Sequence, residues 1–206
     1  MMNGSDNNKS LRMGIIGLGA GRFMGVSSRE VKGVEVAAIC DLDAGRLASF
    51  GIEFDIPESA HYNDYQQMFA EANLDLIHIA LPNSLHEQVA VAALEAGIDT
   101  IVEKPMTTDT ASAQRMVDAE ARSSKRLMVV YNRRYRADTQ WARSMFEDGK
   151  LGDVYHVNVH WRRETGIPGS GWFGNKALAG GGPLIDLGVH VMDMALFVLG
   201  YPRVLT

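Results

Sequence analysis

The chain has 206 residues, 46% hydrophobic and 22% charged, which is the balance of a globular protein with enough apolar material for a real core. A net charge of −5 argues against nucleic acid or an anionic membrane as the main partner. The single cysteine, Cys40, excludes an intramolecular disulfide and points to a reducing, cytoplasmic setting.

The first ten residues, MMNGSDNNKS, are polar; they read as a disordered tail without the apolar core of a signal peptide. Uninterrupted apolar runs downstream are too short to span a bilayer, so no membrane is expected. Arg12–Ile16 reads as a strand running into glycines, and Gly19–Val31 as a turn opening a helix. Glu35–Ile39 is a second strand, followed by a short helix over Ala44–Phe50 and another over Asp64–Ala70, which Asn63 or Asp64 can cap. Leu74–Ala80 is a strand ended by Pro82. His86–Ala96 is a helix closed by Gly97. Thr100–Val102 and Leu127–Tyr131 are strands flanking a helix over Thr108–Ser124.

Strands alternating with helices imply parallel pairing with right-handed crossovers. Nearly continuous apolar strands imply helices on both faces of the sheet. The fold class expected for residues 11–131 is therefore α/β, a doubly wound parallel sheet of Rossmann type.

The pattern changes after Tyr131. Thr139–Asp148 reads as a helix, Val154–Trp161 as a half-solvated antiparallel strand, and Arg162–Gly182 as a glycine-rich loop. Pro183–Leu199 reads as a helix ended by Gly200. Residues 132–206 are thus expected to begin an α+β domain for substrate binding or oligomerisation, incomplete because one strand and one helix cannot bury a core.

The segment Gly14-Ile-Ile-Gly17-Leu-Gly19-Ala-Gly21-Arg22 lies where strand passes into helix. A dinucleotide fingerprint needs a tight turn, then a residue without a side chain where backbone meets pyrophosphate. Gly17 and Gly19 take those places; Arg22 stands where a third glycine belongs, leaving Gly21 or Gly25 for close helix packing. Asp41 ends the second strand, 24 residues after Gly17, near the roughly 20-residue spacing of a ribose-binding carboxylate. Its charge opposes a 2′-phosphate, so NAD is favoured over NADP.

Three further segments resemble the Gfo/Idh/MocA oxidoreductases, which include glucose-fructose oxidoreductase and inositol dehydrogenase. They are Leu81-Pro82-Asn83-Ser84-Leu85-His86, Gly97 through Glu103-Lys104-Pro105, and Gly180-Gly181-Gly182-Pro183 through Asp186, His190 and Asp193. The resemblance runs from about Arg12 to Gly200. It implies that Pro82, Asn83, His86 and Glu103 border the cofactor, and that Lys104 points at nicotinamide and substrate. It also implies that Lys104, Asp186 and His190 surround the reacting hydroxyl.

Those residue types suit the chemistry. Oxidising a secondary alcohol requires removal of the hydroxyl proton, which a histidine can take. An ammonium stabilises developing negative charge on the substrate oxygen. A carboxylate orients the imidazole or binds a second hydroxyl. The implied function is NAD-dependent oxidation of a sugar or polyol. Two alternatives stay open: a glycosidase or epimerase that oxidises its sugar transiently, and a non-catalytic NAD-binding module.

Arg133, Arg134, Arg136, Arg162 and Arg163 read as a solvated face, with an anionic substrate pocket as the alternative. His78, His156 and His160 lack metal-ligand spacing, and no metal is expected. The apolar helix over Pro183–Leu199 needs more than one side covered. The expectation is a homo-oligomer or poorly soluble chain that binds NAD with little dehydrogenase activity.

Overall fold

The computed structural model describes residues 10–162, 164–165 and 171–203. The reading of the N-terminal tail, apart from Ser10, and that of Arg163 lie outside the described residues. The chain divides into two compact units, one through Val129 and one from Val130.

In the first unit the strands are β1 (Leu11–Ile16), β2 (Val34–Cys40), β3 (His61–Tyr62), β4 (Leu76–Ile79), β5 (Asp99–Glu103) and β6 (Leu127–Val130). Between them run α1 (Arg22–Ser28), α2 (Ala44–Phe54), α3 (Tyr65–Glu71), α4 (His86–Glu95) and α5 (Thr110–Ser123). The six strands form one sheet in the order β3-β2-β1-β4-β5-β6, with β1 parallel to both β2 and β4. This is the doubly wound Rossmann order.

Helix ends follow local chemistry. Asp43 caps α2 by accepting from the amides of Gly45 and Arg46, Asp64 caps α3 through Gln66, and Asp109 caps α5 through Ser112. Gly97, with φ +78°, follows α4 as expected. Successive strand residues face opposite sides of the sheet. Ile15 and Ile39 accordingly belong to one apolar cluster with Phe50, and Ile16 and Cys40 to the other with Ile77, Val102 and Met116. Burying a side chain such as Ile15, fully enclosed, contributes about 2 kcal/mol.

Gly21 takes the close-packing role. A Cβ there would lie 2.4 Å from the Gly17 carbonyl oxygen and 2.7 Å from Ile15 Cγ2, whereas one on Gly19 would meet nothing within 4 Å. Gly21→Ala is therefore expected to cost about 1–3 kcal/mol in urea unfolding, and Gly19→Ala less than about 1 kcal/mol. Equal midpoints for the two variants would contradict this packing.

The second unit contains α6 (Ala137–Glu147), α7 (Lys176–Ala179) and α8 (Val189–Val198). The strand expected over Val154–Trp161 does not form among the described residues: no strand is assigned there, and Tyr155 is 98% exposed. Alternating polarity supplies two faces, but a strand also needs a neighbour for its amides and carbonyls. Among the described residues beyond Val130, the assigned elements are helices and turns. Nor is Pro183–Leu199 one regular helix, because Leu184–Gly188 is wound as a π-turn that leads into α8. The stretch Lys176–Val198 reaches a mean hydropathy of 1.3, enough by length and composition alone for a membrane span. Its backbone breaks after α7 at Gly180, with φ +81°, and it carries the buried His190 and Asp193.

Candidate functional site

Strand order reverses between β1 and β4, and open α/β sheets bind ligands outside the carboxyl ends of strands at such a point. Two loops border it: residues 17–21 after β1, and the turn Asn83–Leu85 that follows Pro82 after β4. Gly17 has φ +85°, and a Cβ on it would lie 2.4 Å from the Ala80 carbonyl oxygen. No other residue type lets the glycine loop lie this close to the end of β4. Gly19, beside it, presents bare backbone to open space.

Asp41 is tied into this loop. Its Oδ2 accepts from the Leu18 amide at 2.8 Å and its Oδ1 from the Asp43 amide at 2.9 Å. Each oxygen keeps further acceptor capacity for a ribose hydroxyl. Arg46 Nη1 stands 3.6 Å from Asp41 Oδ2. Sequence reasoning passed over Arg46, although its place five residues after Asp41, in the first turn of the capped α2, was a usable signal.

The remaining residues of the expected cofactor set behave differently. Arg22 is committed to Glu53 of α2, its Nε donating to Oε2 at 2.9 Å, so its side chain links α1 to α2. Asn83 is buried in the turn after Pro82. His86 is fully buried, with Nδ1 2.9 Å from the Pro105 carbonyl and Nε2 2.9 Å from that of Leu81. Burial holds this imidazole below the ordinary histidine range, against the opposing pull of those carbonyls. It therefore braces the loop after β4 against the Glu103-Lys104-Pro105 segment rather than presenting itself to a ligand. His78 of β4 is also buried, its Nε2 3.4 Å from Glu103 Oε1 without a hydrogen bond between them. Lys104 is half-buried just beyond β5.

In the second unit Asp186 lies in the π-turn and His190 in the first turn of α8. The wider turn changes their phase from that of a regular α-helix; such turns recur at functional sites. His190 is buried, its ring centroid 5.5 Å from that of Trp161. Arg133 lies over the other partner of that contact, its guanidinium carbon 4.4 Å from the Trp161 ring centroid. A cavity of about 300 Å³ is lined by Arg133, Arg136, Asp138, His160, Trp161 and His190, with Val191 and Met194. Sequence reasoning named Asp193 only as the end of a motif and gave it no role; it is buried and receives Arg134 Nε at 2.8 Å on Oδ2 and 3.1 Å on Oδ1.

Residues 11–131 match the profile of an oxidoreductase family with an NAD-binding Rossmann fold, and residues 139–206 match the GFO/IDH/MocA C-terminal domain. A D-glucoside 3-dehydrogenase of Escherichia coli is 34% identical over 171 residues, which are 83% of this chain and 48% of that protein. Inositol 2-dehydrogenase of Salmonella typhimurium is 30% identical over 162 residues, 77% of this chain and 48% of the relative. The chain thus spans about half the length of these relatives. Among solved structures, aldose-aldose oxidoreductase from Caulobacter crescentus, complexed with glycerol, superposes with a TM-score of 0.81 at 28% identity, over 93% of this chain and 58% of that one.

Proposed function

Because the chain belongs to the Gfo/Idh/MocA oxidoreductase family, we propose that it forms the site of an NAD-dependent dehydrogenase acting on a secondary hydroxyl of a sugar or polyol. The carrying observation is the cradle of Gly17, open Gly19 and Asp41, which fits a dinucleotide. Relatives named for glucoside and inositol oxidation support the substrate class.

Bound NAD+ would supply a hydride acceptor at the nicotinamide. The chain's own residues do the rest. Backbone of the glycine loop receives the pyrophosphate, and Asp41 accepts from the adenosine ribose. The Lys104 ammonium donates to the substrate oxygen and holds its growing negative charge. His190 accepts the hydroxyl proton. Asp186 orients the imidazole or holds a neighbouring hydroxyl. The buried ring of His86, set between the carbonyls of Leu81 and Pro105, keeps the Glu103-Lys104-Pro105 segment in place. The test is NADH formation over a panel of sugars and inositols; product formed at constant NADH would instead indicate transient oxidation, and neither outcome would leave a binding module.

The coenzyme preference follows from two side chains. Asp41 opposes a 2′-phosphate, while Arg46 beside it offsets part of that charge and offers a cation of its own. Asp41→Ala is expected to weaken NADH about 10-fold and to bring NADPH to comparable affinity, the scale of one charge-assisted hydrogen bond. Fluorescence titration with both coenzymes reads this. Tighter binding of NADPH than NADH by the unaltered chain would remove Asp41 from the selecting role.

A further inference from the structure

We propose that the cavity beside His190 receives an anionic group, so that the substrate is a hydroxyl compound carrying a carboxylate or a phosphate. The proposal rests on the reading of His190 as the proton acceptor and adds to it the class of substrate.

Three arginines occur within four residues, and the structure treats them differently. Arg134 is paired with Asp193. Arg136 Nη2 donates to Asp138 at 2.8 Å, and those hydrogen bonds pull the Asp138 carboxyl down to about 2, so this pair remains ionised and mutually neutralised at working pH. Arg133 has no carboxylate within salt-bridge distance among the described residues; it lies against the Trp161 ring instead. The cavity walls therefore hold Arg133 and Arg136 against Asp138 alone, leaving one positive charge in a chain whose net charge is −5.

The geometry suits anion recognition. A guanidinium held over an indole keeps its edge, with five N–H donors in a fixed fork, for another partner, and Arg133 itself lines the cavity. That fork matches the paired oxygens of a carboxylate or phosphate. The contact with Trp161 also holds the side chain in one arrangement, which lowers the ordering cost of binding. Val191 and Met194 supply apolar wall, where an ionic hydrogen bond is screened less than in open water. A cavity of about 300 Å³ is at the lower end of those that hold small ligands, large enough for a single sugar unit.

Calorimetric titration of the full chain with gluconate, glucose 6-phosphate and glucose tests the proposal. At least one of the two acids is expected to bind about 10-fold more tightly than glucose, and whichever does so identifies the anion. Arg133→Gln should bring that acid to the affinity of glucose, and Arg133→Lys, which keeps the charge but not the fork, should retain part of the preference. Circular dichroism confirms that each variant folds; if Arg133→Gln does not, the comparison of ligands on the unaltered chain still decides. Equal affinity for all three ligands, or a preference that survives Arg133→Gln in a folded protein, overturns the receptor. NADH formation is followed separately. Anion preference without hydride transfer from any compound would remove the dehydrogenase reading and keep the receptor, and hydride transfer from neutral sugars without anion preference would do the reverse.

Discussion

Replacing Lys104 or His190 with alanine is expected to lower turnover about 100-fold or more, while NADH affinity in His190→Ala stays within about twofold of the unaltered protein. In the proposed mechanism both residues serve removal of the hydroxyl proton. Without the ammonium, the substrate oxygen must become an alkoxide with no cation to hold its charge. Without the imidazole, the hydroxyl proton has only water to go to. Because both losses disable the same step, their effects should not add, and the double variant should be little slower than either single one. Half-burial of Lys104 and burial of His190 mean that either truncation also removes packing, so urea unfolding of each variant must accompany the kinetics. Turnover within about threefold of wild type in a folded Lys104→Ala or His190→Ala protein would remove that residue from the mechanism.

The nucleotide half of this site was legible because its signals are local. A strand, a glycine turn and an acid at the end of the next strand lie within 31 residues, from Leu11 to Asp41, and the structure ties the last two together through the Leu18 amide. Helix caps such as Asp64 were equally local. What was missed depends on contacts between distant residues. The helix read to end at Phe50 continues to Phe54 because Gly51 is an interior helical residue, where a Cβ would lie 2.4 Å from the His61 ring. Arg22 occupies a fingerprint position, yet its side chain serves Glu53. The π-turn at Asp186 falls in a run of mostly apolar residues, where periodicity carries little signal and does not reveal it. Val154–Trp161 has the polarity of a strand without a partner strand among the described residues. His86 was legible as part of a motif, but only its burial between the carbonyls of Leu81 and Pro105 shows that it supports the loop instead of facing outward.

Asp193 offers the sharpest test of how the second unit holds α8, because it is an acid within an apolar helix and only 8% exposed. Its carboxylate takes a bidentate contact from Arg134, whose guanidinium also packs near the rings of Tyr131, Phe197 and Tyr201. Removing one partner of a buried ion pair leaves the other charge without compensation, a loss of about 3–5 kcal/mol when both are enclosed. The Arg134 side chain is 30% exposed and regains some hydration, so Asp193→Ala is expected to cost about 2–4 kcal/mol. Replacing both residues, in Arg134→Met with Asp193→Leu, removes both charges and should cost much less than Asp193→Ala alone. Urea unfolding of the single and double variants separates these cases, because independent losses simply add whereas recovery from a broken pair leaves the double variant more stable than Asp193→Ala. NADH affinity is the control: every residue assigned to the cofactor precedes Val130, so the variants should bind NADH as the unaltered chain does. An Asp193→Ala protein as stable as the wild type would mean that water reaches the guanidinium freely and that α8, with His190, is held by its apolar contacts alone.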